Sequence, residues 1–113
     1  MLPKRIPKPP KRASRWRSQA HCNFVRSHAC AKCGSEAGIE VAHVRNGSGA
    51  GIGQKPDDWH TVSLCKPCHQ RQHIDGERTF WAEVDAQALA AEFAKASPRA
   101  AQIRQKLAER ANG

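Results

Sequence analysis

Tyrosine is absent from the 113 residues, and the aromatic side chains amount to three Trp and three Phe. A chain this short with so few large rings buries limited apolar surface, and domains of this size commonly lean on a metal or on disulfides. Acidic residues are scarce as well. Ten Asp and Glu stand against nineteen Lys and Arg, a net charge of +9, which points to a polyanionic partner, most often nucleic acid. No apolar run approaches membrane-spanning length, and the N-terminus lacks the apolar segment of a secretory signal. The glycine-rich stretch from Asn46 to Gly53 lacks the Gly-Lys-Ser/Thr and following helix of a phosphate-binding loop, so it reads as a connector. No internal repeat is visible.

The charge that is present is unevenly placed. Residues 1–20 hold Lys4, Arg5, Lys8, Lys11, Arg12, Arg15 and Arg17, no acidic residue, and four of the seven prolines. This composition predicts an extended, disordered basic arm that meets phosphates without reading sequence. The remainder, residues 21–113, reads as one α+β domain with a core over about 28–82 and C-terminal helices over about 83–111. Residues 21–28 suit a short helix or turn. Alternation and β-branched residues predict strands over 39–44 and 60–64. A helix follows over 66–75, with Pro67 in its first turn. Phe80, Trp81, Val84, Leu89 and Phe93 form the inward positions of a helical stretch over 78–96, with Asp85 as the cap of a restart. Ser97-Pro98 opens a last helix with Ile103 and Leu107 inward.

Five cysteines is an odd number, and four of them form two Cys-x-x-Cys pairs, Cys30/Cys33 and Cys65/Cys68, with 31 residues between the pairs. Four thiolates in two knuckles make a closed tetrahedral zinc site, and the pattern favours a reducing, cytoplasmic setting over a disulfide framework. Cys22 is left over as a buried or free thiol. Directly after Cys68 come His69 and His73, four residues apart and therefore on one helical face. Two imidazoles there can reach one ion and leave positions open for water and phosphate. His43 closes an otherwise apolar strand just before the glycine-rich loop and Arg45.

The order Cys-x-x-Cys, strand with His43, loop, then Leu64-Cys65-x-x-Cys68-His69-x-x-x-His73 resembles the HNH endonucleases with a zinc-bound ββα-metal core. More narrowly, Ala42-His43-Val44-Arg45, Gly51-x-Gly53-x-Lys55-Pro56-x-Asp58 and Gly76-Glu77-x-x-Phe80-Trp81 resemble a phage- and prophage-borne subgroup that includes relatives of the recombination-enhancement nuclease. The resemblance covers residues 28 to about 98. It implies a metal-dependent DNA endonuclease with His43 as general base and His69 and His73 as ligands of a catalytic divalent ion (Mn²⁺, Ni²⁺, Co²⁺, Zn²⁺ or Mg²⁺), leaving 5′-phosphate and 3′-hydroxyl ends. The family's middle Asn falls, by its spacing to His69, on His60, which would then hydrogen-bond or orient His43. The family's acidic or His ligand before the base is here Ala42. An ion on imidazoles alone would favour Mn²⁺, Co²⁺ or Ni²⁺ over Mg²⁺, and Ala42→Asp would add an oxygen donor, unless Asp57, Asp58 or His60 already fills that place. Arg45 and Lys55 join the arm's cations as DNA contacts. Two other readings stay open: a non-catalytic zinc-ribbon DNA-binding module, and an adaptor whose Ala-rich C-terminal helices dock a partner protein.

Overall fold

The computed structural model describes residues 2, 15–50 and 54–112. Its elements, in chain order, are α1 (Gln19–Arg26), β1 (Ile39–His43), β2 (Thr61–Cys65), α2 (Lys66–Asp75), α3 (Glu77–Trp81), α4 (Ala86–Ala96) and α5 (Ala100–Asn112). The result is a small α+β fold with a two-stranded antiparallel sheet. Ile39 pairs with Cys65, Val41 with Ser63 and His43 with Thr61. The cysteine knuckle at 65–68 therefore begins where the sheet ends, and His43 sits at the opposite end, where the chain enters β2.

One face of the hairpin builds the core. Ala42, Val44, Val62 and Leu64 are at most 1 % exposed and pack with Phe80, Trp81, Ala86 and Ala90, while Leu89 and Phe93 of α4 close over them. Each fully buried Leu or Val contributes about 1.5–3 kcal/mol relative to exposure, so this cluster anchors α3 and α4 to the sheet. Trp81 also donates its indole N–H to Gln72 Oε1 at 2.8 Å, tying α3 back to α2.

The caps follow the local chemistry. Ser18 Oγ accepts from His21 N–H at the start of α1, and Asp85 carboxylate accepts from Ala88 N–H at the start of α4, each meeting an orphan donor of a first turn. Gly76, at φ 82°, ends α2 in a conformation costly to other residues.

Four expectations need correction. The helical stretch over 78–96 restarts at Asp85 as expected, but its first part ends already at Trp81, because Ala82 takes φ +52°. Val84 thus lies in the turn at 48 % exposure. The last helix starts at Ala100 rather than Pro98. Ser97 accepts both Arg99 N–H and Ala100 N–H, forming a turn that rotates Leu107 to 46 % exposure while Ile103 stays buried.

The third concerns the arm. Residues 15–18, assigned to it by composition, are fixed to the domain. Trp16 is buried and stacks on Trp59 at 5.3 Å, above Ile103. The stretch 3–14, with Lys4, Arg5, Lys8, Lys11 and Arg12, lies outside the described residues, as do Gly51 to Gly53 of the loop. The fourth is Ala42. Its side chain faces the apolar core at 0 % exposure, so an aspartate there would enter that core rather than reach an ion.

A candidate catalytic cleft beside a four-cysteine centre

Cys30, Cys33, Cys65 and Cys68 bring their sulfurs within 4.8 Å of one another, and all four are free thiols. A tetrahedral site with Zn–S bonds of about 2.3 Å separates its sulfurs by about 3.8 Å; Cys33 and Cys65 Sγ stand 3.6 Å apart. The residues therefore fit a structural metal such as zinc. Backbone contacts hold the first knuckle on the sheet: Ala31 N–H donates to Ser63 O at 2.8 Å, and Ser63 hydroxyl donates to Ala29 O at 2.7 Å. Burial opposes ionisation of Cys30, yet hydrogen bonds from backbone groups of Cys33, Cys65 and Lys32 lower its thiol to about 6. Burial and the neighbouring sulfurs push Cys68 up instead. Crowded thiols of this kind ionise together only when a cation joins them.

On the other side of α2 lies a cleft of about 1000 Å³ into which His43, Asp58, His69 and His73 all open. Three separate segments supply these groups. His43 ends β1, Asp58 precedes β2, and His69 and His73 lie one turn apart on α2, with ring centroids 5.0 Å apart. The His73 ring is thus one helical turn from a ring that directly follows a knuckle cysteine.

His43 Nε2 donates to Asp58 Oδ1 at 3.0 Å. Asp58 is itself well held: Ser18 N–H donates to its other oxygen at 2.8 Å, and Arg17 approaches at 3.3 Å. Burial raises its pKa, but the hydrogen bonds from His43 and Ser18 and the charges of His43 and Arg17 outweigh that and bring it to about 2. The carboxylate is charged and acceptor-only, so it holds the His43 proton on Nε2, and in the neutral tautomer the lone pair is on Nδ1. On α2, His69 Nδ1 stands 2.9 Å from Glu40 Oε1, which orients the ring and frees its Nε2.

Of the expected site residues, His43, His69 and His73 share this cleft and His60 does not. His60 Nδ1 donates to Gln87 Oε1 at 2.7 Å, and Gln87 in turn donates to Val44 O and Asn46 O. His60 thus braces the exit of β1 from behind, while Asp58 takes the position beside His43. Asp58 stands in the motif seen in the sequence but is not paired there with His43, and Glu40 carries no signal at all. The signal for Asp58 is the hairpin itself: pairing His43 with Thr61 folds the residues just before Thr61 over the end of β1.

The cleft wall is cationic. Arg26, Arg45 and Lys55 line it and make no ion pair among the described residues. Its second carboxylate, Glu77, is occupied by the N–H groups of Arg45 and Asn46 at 2.8 and 2.9 Å. Arg17 also lines the cleft but its guanidinium is committed to the carbonyls of Lys55, Pro56 and Trp16 and to Asp58. Arg15 is likewise directed at Gln54 and Asp57. These two cations hold the fold together rather than wait for a ligand. A recess lined by cations without carboxylate partners concentrates anions. No helix among the described residues is long and apolar enough to cross a membrane.

Residues 3–96 match the model of the family described as "Protein of unknown function (DUF968)", and the chain belongs to that family. The matched span contains both knuckles, the cleft histidines and Asp58, and stops at the end of α4. No curated protein and no solved structure matches the chain.

Proposed function

We propose that this DUF968-family chain is a metal-dependent DNA endonuclease built on an HNH (ββα-metal) core. The observation that carries the reading is the convergence of His43, its partner Asp58, and the pair His69/His73 in one cation-lined cleft directly behind a four-cysteine knuckle. The order β1, β2, α2 is the order the ββα core requires.

In this reading His43 takes a proton from water through Nδ1, since Nε2–H is spent on Asp58. Asp58 fixes the tautomer and balances the imidazolium that forms. Arg26, Arg45 and Lys55 hold the flanking phosphates. His69 and His73 present imidazole nitrogens suited to a divalent ion, with Glu40 steadying the first. When bound there, such an ion supplies Lewis-acid stabilisation of the phosphate and of the leaving oxygen. The four cysteines hold a structural zinc that takes no part in the chemistry.

A second reading, a non-catalytic zinc-ribbon DNA-binding module, is favoured by one observation. Among the described residues only the four cysteines bring three or more candidate donors within 4.8 Å, so His69 and His73 lack a third protein donor. Supercoiled plasmid incubated with Mg²⁺, Mn²⁺, Co²⁺ or Ni²⁺ separates the two. Nicking by the wild type and its loss in His43→Ala support the nuclease; plasmid binding without nicking in any metal supports the module.

A further inference from the structure

Away from the cleft, α4, α5 and the Trp59 ring enclose a second recess of about 230 Å³. None of its lining residues belongs to the catalytic cleft. Its floor is apolar: Trp59, Ala94, Ile103 and the half-exposed Leu107. Lys95 and Arg104 stand at its edge, and neither makes an ion pair among the described residues. No carboxylate lines it. Trp59, 5 % exposed, carries an indole N–H with no acceptor among the described residues. A buried donor left this way costs about 1–3 kcal/mol.

These features specify an occupant. The volume falls below the ~300–1,000 Å³ of small-molecule sites, and matches one bulky side chain. The two unpaired cations ask for carboxylates on either side of it. We infer that the recess docks an acidic peptide segment of a partner protein, with one large apolar side chain seated between α4 and α5 and flanking carboxylates on Lys95 and Arg104. Nucleic acid fits less well, because a phosphate chain gains little from an apolar floor. The α5 wall lies beyond the residues matched by the family model, whereas Trp59 and the α4 wall lie within them. The inference is independent of the nuclease reading.

The test uses the full chain and a fluorescein-labelled poly-aspartate peptide carrying one phenylalanine. The wild type should bind it, with fluorescence anisotropy rising and tryptophan emission changing. Replacing the peptide's phenylalanine by alanine, or introducing Leu107→Gln or Arg104→Gln, should each weaken binding at least about tenfold. All three substituted positions are solvent-facing or in the peptide, so folding is preserved, as circular dichroism checks. Because Leu107→Gln leaves net charge unaltered, its DNA affinity should equal the wild type's. Equal binding of the alanine peptide would reduce the contact to net charge and overturn the inference. So would full displacement of the peptide by a DNA oligonucleotide in a manner that depends on Leu107. Self-association of the wild type that Leu107→Gln abolishes would assign the recess to a second copy instead.

Discussion

Asp58 Oδ1 stands 3.0 Å from His43 Nε2, while its chain neighbour Asp57 turns the other way. Asp57 is 2 % exposed; it accepts from Trp16 N–H at 2.6 Å and from Arg110 of α5 at 2.7 Å. Arg110 also lies over the Trp59 ring at 4.7 Å. Two adjacent carboxylates thus serve two networks, one facing the cleft and one joining the N-terminal segment to the last helix.

Substituting Asp58 should therefore be a test of chemistry. Asp58→Asn keeps the shape but no longer fixes the imidazole tautomer. Cleavage by this variant should fall by about 10–100-fold, the range for groups that orient a site's imidazole. His43→Ala should fall by ~10²–10⁴-fold. The double variant should be little worse than His43→Ala, because the two act as one unit. Additive losses in single-turnover kinetics would show that Asp58 works independently of His43.

Asp57→Ala, in contrast, should act on stability. Removing Asp57 strands the buried Trp16 N–H and leaves the partly exposed Arg110 to solvent, a loss of about 1–3 kcal/mol, and the N-terminal segment and α5 should loosen together. Thermal denaturation and protection of Trp16 from quenchers read this out. Acid adds a second signature. Asp58's pKa is depressed from 3.8 to about 2, and Asp57's is lowered as well, against burial, by Arg110 and the Trp16 N–H. A depressed carboxylate contributes stability that is full above its ordinary pKa and is lost as pH falls through the folded value. For Asp58 this amounts to about 2 kcal/mol, lost between roughly pH 4 and pH 2. Asp58→Asn should flatten that part of the stability profile.

The four-cysteine centre should retain one zinc per chain through dialysis against a chelator. Structural zinc contributes on the order of 10 kcal/mol in apparent binding terms, so Cys30→Ser/Cys65→Ser should be largely unfolded. Elemental analysis with near-ultraviolet dichroism settles it. A soluble, cooperatively melting, zinc-free variant would remove the metal from the architecture.

Deleting residues 1–14 should reduce DNA affinity without touching the fold. The cut spares Arg15, Trp16 and Arg17, which are anchored, and removes Lys4, Arg5, Lys8, Lys11 and Arg12. Each DNA phosphate that the shortened chain no longer neutralises flattens the slope of log K against log salt by about 0.9. An unchanged slope would mean these cations do not meet DNA.

Ala42→Asp should not improve use of Mg²⁺. It places a carboxylate among Val62, Leu64, Phe80 and Trp81, where an unpaired charge costs several kcal/mol. A large drop in melting temperature is expected. A stable variant with tighter Mg²⁺ binding would show that β1 presents position 42 to the cleft after all.

The parts of the fold governed by local chemistry are readable from the residues alone. The knuckle spacings, the β-branched alternation over β1 and β2, Pro67 in the first turn of α2 and the Asp85 cap are all local signals. So is the shared helical face of His69 and His73. What the chain hides depends on distant contacts. Nothing near His43 in sequence names Asp58, nothing near His69 names Glu40, and His60 occupies the expected spacing while its ring pairs with Gln87. Arg15 and Arg17 look like arm residues by composition. Only the carboxylates of Asp57 and Asp58, and the seat for Trp16 on Trp59, make them part of the domain. Ala82 carries no turn signal, so the sequence marks where α4 restarts, at Asp85, but not where α3 ends.

The knuckle also sets the angular phase of α2. Cys65 is its N-cap, Cys68 lies in its first turn, and His69 is the next residue. Each residue advances an α-helix by about 100°. With Cys68 fixed at the thiolate cluster, His69 and His73 have one azimuth open to them, and it is the one that faces His43 across the cleft. Inserting a single alanine between Cys68 and His69 would leave four sulfurs able to bind zinc while swinging both imidazoles about a quarter-turn out of the recess. The spacing is a protractor: metal content and histidine aim are separable by one residue.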